Sequence, residues 1–316
     1  MVIGFLGKGG SGKSTLAALC ALLWAETGRP ALVIDADLNQ TLGDLLALPN
    51  AAPTLHERLP TLKQRIRGSN ARLAGDTPVI KTTPPGRGSG LIAGLDDPLF
   101  AEADQRGSLR LLRAGAVDED DVGVRCYHGK TGSVELLLNH LVLRGDERTF
   151  VDMTAGADML ASGLFTRFDL TVFAVEPTRQ SLAVWRQYRE HADAFGLPRV
   201  VVGNKVETDA DVAFLRRELG EPFIAFPHVP ALKDSERDGG LDAAVLPIAA
   251  RGAVEAILRR TVRRDGARFT RLAHEFHRRN ALSWANAAHG HDLANQIDPS
   301  FDWDEAVLSL EETAVS

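Results

Sequence analysis

The most constraining feature of this sequence is a glycine- and lysine-rich segment close to its beginning. Residues 7–15 read Gly-Lys-Gly-Gly-Ser-Gly-Lys-Ser-Thr, and positions 7 to 14 match the pattern GxxxxGK[ST]. The apolar residues 2–6 before it indicate a buried strand, and residues 13–26 have the periodicity of a helix. Strand, loop and helix in this order predict a phosphate-binding loop, or P-loop, within an α/β fold. A glycine-rich turn with chance lysines is the alternative.

Each residue type in this loop suits phosphate binding. Glycines allow backbone N–H groups to converge on phosphate oxygens, and the start of the following helix adds its dipole. Lys13 would neutralise the β- and γ-phosphates, and the Ser14 hydroxyl would ligate Mg²⁺. The predicted phosphate-binding residues are Gly7, Gly9, Gly10, Ser11, Gly12, Lys13, Ser14 and Thr15.

The rest of the chain alternates short β-branched runs with longer amphipathic runs. The predicted strands are 2–6, 31–34, 109–112, 149–153, 170–175, 200–203 and 223–226, and the predicted helices are 13–26, 133–143, 180–195 and 210–219. Several strands are apolar almost throughout, as expected of parallel strands covered on both faces. We therefore predict a doubly wound, mostly parallel β-sheet flanked by helices, the P-loop NTPase architecture.

Two regions depart from this alternation. Residues 75–108 include Pro-Pro-Gly-Arg-Gly-Ser-Gly at 84–90 and predict an irregular surface insertion or mobile loop. After a predicted basic helix at 252–264, residues 265–316 contain no strand pattern. We predict a P-loop domain over 1–264 and a helical C-terminal extension with an acidic tail over 265–316.

Composition narrows the possible surroundings and partners. The 316 residues carry a net charge of −6, which gives no reason to expect broad nucleic-acid binding. No run approaches the roughly 20 apolar residues that span a bilayer, so stable membrane insertion is not expected. The N-terminal run has no basic flank or cleavage site of a signal peptide. With two cysteines, Cys20 and Cys126, the chain fits a reducing cytoplasm.

Lys8, ahead of the usual P-loop lysine, sharpens the pattern. Lys-Gly-Gly-x-Gly-Lys-Ser/Thr resembles the deviant Walker-A family, which includes the MinD and ParA ATPases and the nitrogenase iron protein. The resemblance implies a homodimer bridged by ATP, in which Lys8 of each subunit reaches its partner's phosphates. Such a cation would act as an arginine finger does, where charge develops in the transition state. A solvated lysine beside the loop is the alternative.

Carboxylates stand at the ends of two predicted strands. Asp35 and Asp37 end the second strand, and the resemblance implies that Asp37 orients the attacking water while Asp35 supports the magnesium shell. Since alternate strand residues face opposite sides, one of the pair could instead cap the next helix, and we favour Asp37 as catalytic. Asp152 ends strand 149–153 in a Walker-B pattern and is expected to hold Mg²⁺ through water. Residues 154–158 resemble the family's switch II.

Two later segments resemble the family's base pocket. Asn204 and Lys205 follow strand 200–203, and an asparagine amide can both donate to and accept from an adenine edge. This favours ATP over GTP, because Glu207 stands where the guanine-selecting pattern has aspartate. Asn204 as a helix N-cap is the alternative. The residues predicted to close over the base are Pro227, His228 and Pro230.

Three stretches resemble the nickel-insertion ATPases that mature carbon-monoxide dehydrogenase, the CooC-like group. They are Asp-Met-Thr-Ala-Gly at 152–156, Val-Glu-Pro-Thr-Arg-Gln-Ser-Leu at 175–182, and the strand at 109–115 followed by Cys126. That group carries Cys-x-Cys in this loop, whereas here the residues are Cys126-Tyr127-His128. Two copies of Cys126 and His128 across a dimer axis could hold Zn²⁺ or Ni²⁺. A buried structural cysteine is the alternative.

The sequence leaves three functions open. The first is an ATP-gated assembly or metallocluster-maturation factor with slow, partner-stimulated ATP hydrolysis and an unknown client protein. The second is a ParA- or MinD-type spatial-positioning ATPase, which needs a DNA-binding basic face or a membrane-binding helix. A basic cluster is present at Arg259, Arg260, Arg263 and Arg264, but the acidic tail lacks the apolar stripe of a membrane helix. The third is an ATP-dependent regulatory switch for a partner enzyme.

Overall fold

An eight-stranded sheet runs through the centre of the computed structural model, which describes residues 1–116 and 128–315. The strands in these residues are β1 (Val2–Gly7), β2 (Ala31–Ala36), β3 (Ile92–Ala93), β4 (Asp104–Arg106), β5 (Leu109–Arg113), β6 (Leu141–Val142), β7 (Arg148–Met153), β8 (Leu170–Val175), β9 (Arg199–Val206) and β10 (Phe223–Pro227). The main sheet has the order β10-β9-β8-β1-β7-β2-β5-β4, and β3 pairs with β6 separately.

Strand β1 lies in the middle of the sheet. It pairs in parallel with β7 on one side and β8 on the other, and among the paired strands of this sheet β4 alone runs antiparallel to its neighbour. The segments that follow β1, β7 and β8 therefore leave the sheet at one edge, where open α/β sheets bind ligands. The doubly wound, mostly parallel sheet predicted from the sequence is confirmed.

Helices flank this sheet. Those of the described residues are α1 (Lys13–Ala25), α2 (Leu42–Leu45), α3 (Leu59–Arg67), α4 (His128–His140), α5 (Arg179–Phe195), α6 (Asp209–Leu219), α7 (Pro230–Arg237), α8 (Ile248–Leu258), α9 (Gly266–Asn280), α10 (Asn286–His289) and α11 (Trp303–Val315). Local sequence fixes several ends. The Thr178 hydroxyl accepts from the Ser181 N–H at the start of α5, and left-handed Gly196 (φ 65°) ends that helix.

Apolar side chains cover both faces of the sheet. In β1, Ile3 and Phe5 pack into one hydrophobic cluster, and Val2 and Leu6 pack into another. Because both faces are covered, β1 contains no polar residue and β8 contains only one, Thr171. The seven predicted strands are all present, with ends that differ by at most three residues, and the short β3, β4 and β6 were not predicted.

Two predicted helices have bounds that differ from the observed ones by more than one residue. The helix predicted at 133–143 starts at His128 and ends at His140, because residues 141–142 leave it to pair with β3. The basic helix predicted at 252–264 is α8, and it ends at Leu258. Arg264 lies beyond it, where its guanidinium pairs with Asp169 at 2.8 Å. This buried ion pair holds the segment after α8 in a non-helical path.

The segment 75–108 is irregular, as predicted, but it is not a surface insertion. Its apolar side chains, including Ile92, Leu95 and Phe100, belong to the main hydrophobic cluster. Thr82 and Thr83 are buried as well. The expectation of a surface insertion or mobile loop is therefore corrected. The sequence of the segment shows no helical or strand periodicity, because contacts with the rest of the molecule determine its path.

The C-terminal region is helical, and its helices pack against the sheet-bearing part of the chain. On α9, Leu272 belongs to the main hydrophobic cluster and Phe269 packs with Phe301 and Trp303 in a smaller one. A π-helical turn, Ala281–Ala285, joins α9 to α10. The boundary at 264/265 stays a prediction. No helix within residues 1–116 and 128–315 has the length and apolar character needed to cross a membrane.

Candidate nucleotide site

The P-loop connects the end of β1 to the first turn of α1. The Ser11 N–H donates to the Lys8 carbonyl at 3.0 Å, which closes the loop on itself. Gly12 caps α1 in the left-handed conformation, with φ 85° and ψ 20°. The Ser11 hydroxyl is buried and has no hydrogen-bond partner within the described part of the chain. A glycine-rich loop that begins a helix and has an unused buried hydroxyl is suited to an anion.

Four predicted site residues converge at the start of α1. The Lys13 ammonium lies 2.6 Å from Asp37 Oδ2 and 3.5 Å from Asp152 Oδ1. The Ser14 hydroxyl donates to Asp152 Oδ2 at 2.5 Å. Asp152 is completely buried and Lys13 nearly so. The P-loop and the ends of β2 and β7 therefore meet in one cluster of charged and polar side chains.

Electrostatics hold this cluster together. Burial opposes the charge on Lys13, but Asp152 and Asp37 outweigh it and the pKa of Lys13 is raised. Burial raises the pKa of Asp152 to about 6, although Lys13 and the Ser14 hydroxyl act in the opposite direction. The cluster therefore places one buried cation between two carboxylates. An incoming anion could replace a carboxylate beside Lys13, and a divalent cation could replace Lys13 beside a carboxylate.

Asp35 and Asp37 point in different directions. Both oxygens of the buried Asp35 carboxylate accept backbone N–H groups, from Leu42 at 2.8 Å and from Asp37 at 3.2 Å. Leu42 is the first residue of α2, so Asp35 binds a backbone N–H at the start of that helix. This is the capping role that the sequence allowed for either Asp35 or Asp37. Burial and the neighbouring Asp152 raise the pKa of Asp35 to about 7. Its place in a magnesium shell stays a prediction.

Three charged residues meet on the outer side of the P-loop. The Lys205 ammonium donates to the Gly10 carbonyl at 2.5 Å and to Glu176 Oε1 at 2.8 Å. Glu176 Oε2 lies 4.0 Å from the Lys8 ammonium, which also contacts the Gly9 carbonyl at 3.3 Å. Glu176 was not among the predicted site residues. Its position directly after a strand that neighbours β1 was the signal that could have identified it.

Asn204 braces the P-loop from the end of β9. Its Nδ2 donates to the Ser11 carbonyl at 2.6 Å, and its Oδ1 accepts the Lys205 N–H at 2.9 Å. The N-cap alternative is wrong, because Thr208 caps the following helix α6. One amide hydrogen and one lone pair of Asn204 remain for a base. Its role in base recognition stays a prediction.

The predicted base loop lies beside β9. Pro227 ends β10, and Pro230 occupies the first turn of α7. Between them, His228 is half-exposed and its Nδ1 lies 2.6 Å from Glu207 Oε1. The residue that stands in the guanine-selecting position is therefore paired with the predicted base loop.

The loop after β7 approaches the P-loop from the other side. A Cβ built on Gly9 would lie 3.8 Å from the Cβ of Ala155, within the segment that resembles switch II. A cavity of about 200 Å³ opens here, and Asp37, Thr154 and Asp158 are among its lining residues. Leu38 on its rim is 46% exposed. The cavity gives room for a reactant beside Asp37.

The predicted second metal site falls largely outside this description. Cys126 lies outside residues 1–116 and 128–315. Within those residues, no three or more His, Cys, Asp and Glu side chains are arranged as a metal site. Zn²⁺ or Ni²⁺ binding by Cys126 stays a prediction.

The chain is similar in sequence to proteins described as ATP-binding and to an accessory protein of carbon monoxide dehydrogenase. No protein-family model matches it. The chain is 26% identical over 269 residues to the carbon monoxide dehydrogenase accessory protein CooC of Rhodospirillum rubrum, covering 84% of this chain and 98% of CooC. It is 27% identical over 232 residues to the uncharacterized ATP-binding protein MJ0823 of Methanocaldococcus jannaschii, covering 72% of this chain and 84% of that protein.

Solved structures share the fold. A ParA family ATPase from Chlorobium tepidum superimposes with a TM-score of 0.56 and 20% identity, covering 82% of this chain and 99% of that one. The septum site-determining protein MinD from Pyrococcus horikoshii, complexed with Mg-ADP, superimposes with a TM-score of 0.52 and 17% identity, covering 87% and 94%. At these identities the likeness concerns the fold.

Proposed function

We propose that this chain is a P-loop ATPase of the MinD/ParA superfamily, similar to CooC, and that it binds Mg-ATP and hydrolyses it. The observation that carries the proposal is the buried cluster of Lys13, Ser14, Asp37 and Asp152 at the start of α1. The ATP-binding relative in Methanocaldococcus jannaschii supports adenine nucleotide as the ligand.

The residues present fit a magnesium–phosphate ligand. Hydroxyl and carboxylate oxygens are the donors that Mg²⁺ prefers, and Ser14 and Asp152 supply one of each within 2.5 Å of one another. Bound Mg²⁺ would neutralise phosphate charge. Lys13 would exchange its contact with Asp37 for the β- and γ-phosphates. Asp37, released from Lys13, would then accept a hydrogen bond from water in the adjoining cavity.

We further propose that ATP bridges a homodimer through Lys8. The Lys8 side chain is one-third exposed, and its contacts at 3.3 Å and 4.0 Å are long for an ammonium. It can therefore leave its own loop at little cost and neutralise charge on a partner's nucleotide. The exposed Leu38, on the rim of the cavity, offers apolar surface for the same contact.

Two lysine variants test these proposals separately. Lys13→Ala should weaken ATP binding at least about 100-fold, because a charge-assisted phosphate contact is lost and Asp37 and Asp152 are left buried without their cation. Lys8→Ala should bind ATP within about threefold of the unchanged protein but fail to dimerise. Calorimetry measures binding, and light scattering during gel filtration measures mass. ATP-driven dimerisation that survives Lys8→Ala would reject the trans-lysine role.

For the biological role, we propose ATP-gated assembly or maturation of a metallocluster enzyme. The similarity to CooC along 84% of the chain supports this role. The spatial-positioning alternative has less support, because three of the four arginines in 259–264 are ion-paired with acidic residues. Arg259 pairs with Glu255, Arg263 with Asp304 and Arg264 with Asp169. Regulation of a partner enzyme without turnover is the remaining alternative.

An Asp37→Ala variant separates these roles. Removal of the carboxylate should lower the rate of ATP hydrolysis at least about 100-fold. The variant should therefore accumulate as an ATP-bound dimer that retains its client. The variant is used to capture partners from the native host, and the eluate is analysed for nickel and zinc. One metal ion per dimer and a metalloenzyme partner would support maturation. Salt-sensitive, ATP-dependent DNA binding would favour spatial positioning, and unchanged turnover would remove Asp37 from catalysis.

A further inference from the structure

A carboxylate stands where a nucleotide site would be expected to exclude negative charge. Glu176 follows β8, and its side chain is only 17% exposed. It contacts Lys8 and Lys205, two lysines assigned to nucleotide binding, although it cannot itself bind phosphate. A carboxylate this close to a triphosphate would repel it unless a lysine such as Lys205 remains between them.

We propose that Glu176 is a positioning residue that keeps Lys8 on its own subunit until a second subunit's nucleotide takes it, and so sets the threshold of dimerisation. This rests on the proposed function, in which Lys8 acts across the dimer. Glu176 holds Lys205 firmly and Lys8 loosely, so the two lysines have separate roles. Lys205 links Glu176 to the P-loop, and Lys8 remains available for the nucleotide of a second subunit.

The backbone geometry fixes Glu176 in place. Its N–H donates to the Ser181 hydroxyl at 3.0 Å, and Ser181 is buried at the start of α5. The Thr178 N–H donates to the Glu176 carbonyl at 2.7 Å. Because this turn is tied to a strand end and to a helix, the backbone that carries the carboxylate stays in place. Any rearrangement falls to the lysines, whose four-carbon side chains are long and flexible.

The two lysines differ in how tightly they are held. The Lys205 ammonium has two short contacts, 2.5 Å to the Gly10 carbonyl and 2.8 Å to Glu176. The Lys8 ammonium is 4.0 Å from the same carboxylate and 3.3 Å from the Gly9 carbonyl. A phosphate approaching from a second subunit therefore competes successfully for Lys8, while Lys205 stays on the loop.

The size of the effect follows from the exposure of the pair. Partly exposed ion pairs of this kind contribute a factor of about two to five in an equilibrium constant. Each dimer releases two copies of Lys8, so the factor enters twice. Removal of the Glu176 charge should lower the dissociation constant of the ATP-bound dimer by about four- to twenty-fivefold.

The test uses Glu176→Gln in the full-length protein, with sedimentation measured over a range of protein concentrations at saturating Mg-ATP. The dimer should form at about four- to twenty-fivefold lower protein concentration. Glu218→Gln is the matched control, because Glu218 pairs with Arg186 and Arg217 at the surface, and it should leave the concentration unchanged. An unaltered or higher dimerisation concentration in Glu176→Gln would overturn the proposal.

A second measurement does not depend on dimerisation. Acetylation of the Lys8 amine is followed by mass spectrometry in the nucleotide-free protein, with exposed Lys233 as an internal reference. Lys8 should react about two to five times faster in Glu176→Gln, because no carboxylate holds it. Equal rates would reject the resting contact. If Lys8→Ala dimerises normally while this acceleration is seen, the proposed trans role fails and the resting contact stands.

Discussion

Gly12 combines two geometric requirements of the phosphate loop. Its φ of 85° lies in the left-handed region that favours glycine, and its carbonyl accepts the Leu16 N–H at 3.0 Å to start α1. A Cβ built there would lie 2.2 Å from the Nδ2 of Asn204, which donates to the Ser11 carbonyl. The glycine thus permits both the turn of the loop and the close approach of its brace.

We expect Gly12→Ala to weaken ATP binding at least about tenfold in calorimetry, because the methyl group must displace Asn204 from the P-loop. Gly10→Ala is the matched control. Gly10 has a similar φ of 78°, but a Cβ there would meet no atom within 4 Å. Both variants share a left-handed strain of about 1–2 kcal/mol. The difference between their ATP affinities therefore measures the effect of the contact between the new methyl group and Asn204. Equal affinities in the two variants would show that the Asn204 brace is dispensable.

At the residue scale, sequence patterns could place side chains where chain connectivity determines their position. Lys13 and Ser14 follow from the loop pattern, and Asp37 and Asp152 follow from the rule that parallel strands end at one edge. The direction of the Asn204 amide depends instead on a rotamer and a contact 193 positions away in sequence. No local pattern contains that information. The pairing of Glu176 with two lysines was missed for the same reason.

At the scale of elements, predictability follows length and burial. The seven long strands have apolar patterns strong enough to recognise, whereas β3 and β6 span two residues each and show no period. The segment 75–108 was misjudged because proline and glycine suggest a loop. Its path is fixed by distant partners: Asn139 donates to the Thr83 carbonyl and Thr83 donates to Gln296. The end of α4 was also misplaced, since pairing with β3 outweighs helix propensity there.

At the scale of the whole molecule, His277 joins three distant parts of the chain. It lies on α9 and is completely buried. Its Nε2 donates to the Leu293 carbonyl at 2.8 Å, so its Nδ1 accepts from the Thr82 hydroxyl at 3.2 Å. These contacts connect the C-terminal helices to the 75–108 segment, which packs in the main core. In this arrangement the ring is neutral, because Nδ1 can accept from the Thr82 hydroxyl only when it carries no proton.

The docking of the C-terminal region should therefore weaken in acid. Burial lowers the pKa of His277, and the nearby Arg278 adds to the effect. An unfolded histidine takes up a proton below about pH 6.5, whereas the buried ring takes one up only at lower pH. The contribution of neutral His277 to the free energy of unfolding is therefore fully present above pH 6.5. It declines as the pH falls from there towards the folded pKa. Between pH 7.5 and 5.5 this loss is at most about 1.4 kcal/mol, the value for a ring that takes up no proton in the folded protein.

The test is urea unfolding followed by tryptophan fluorescence at these two pH values. His277→Gln should be less stable at both, but its free energy of unfolding should fall less on acidification than that of the unchanged protein. His191→Gln, at an exposed position of α5, controls for the loss of a histidine and should keep the full decline. The same decline in His277→Gln as in the unchanged protein would assign the acid sensitivity to other groups.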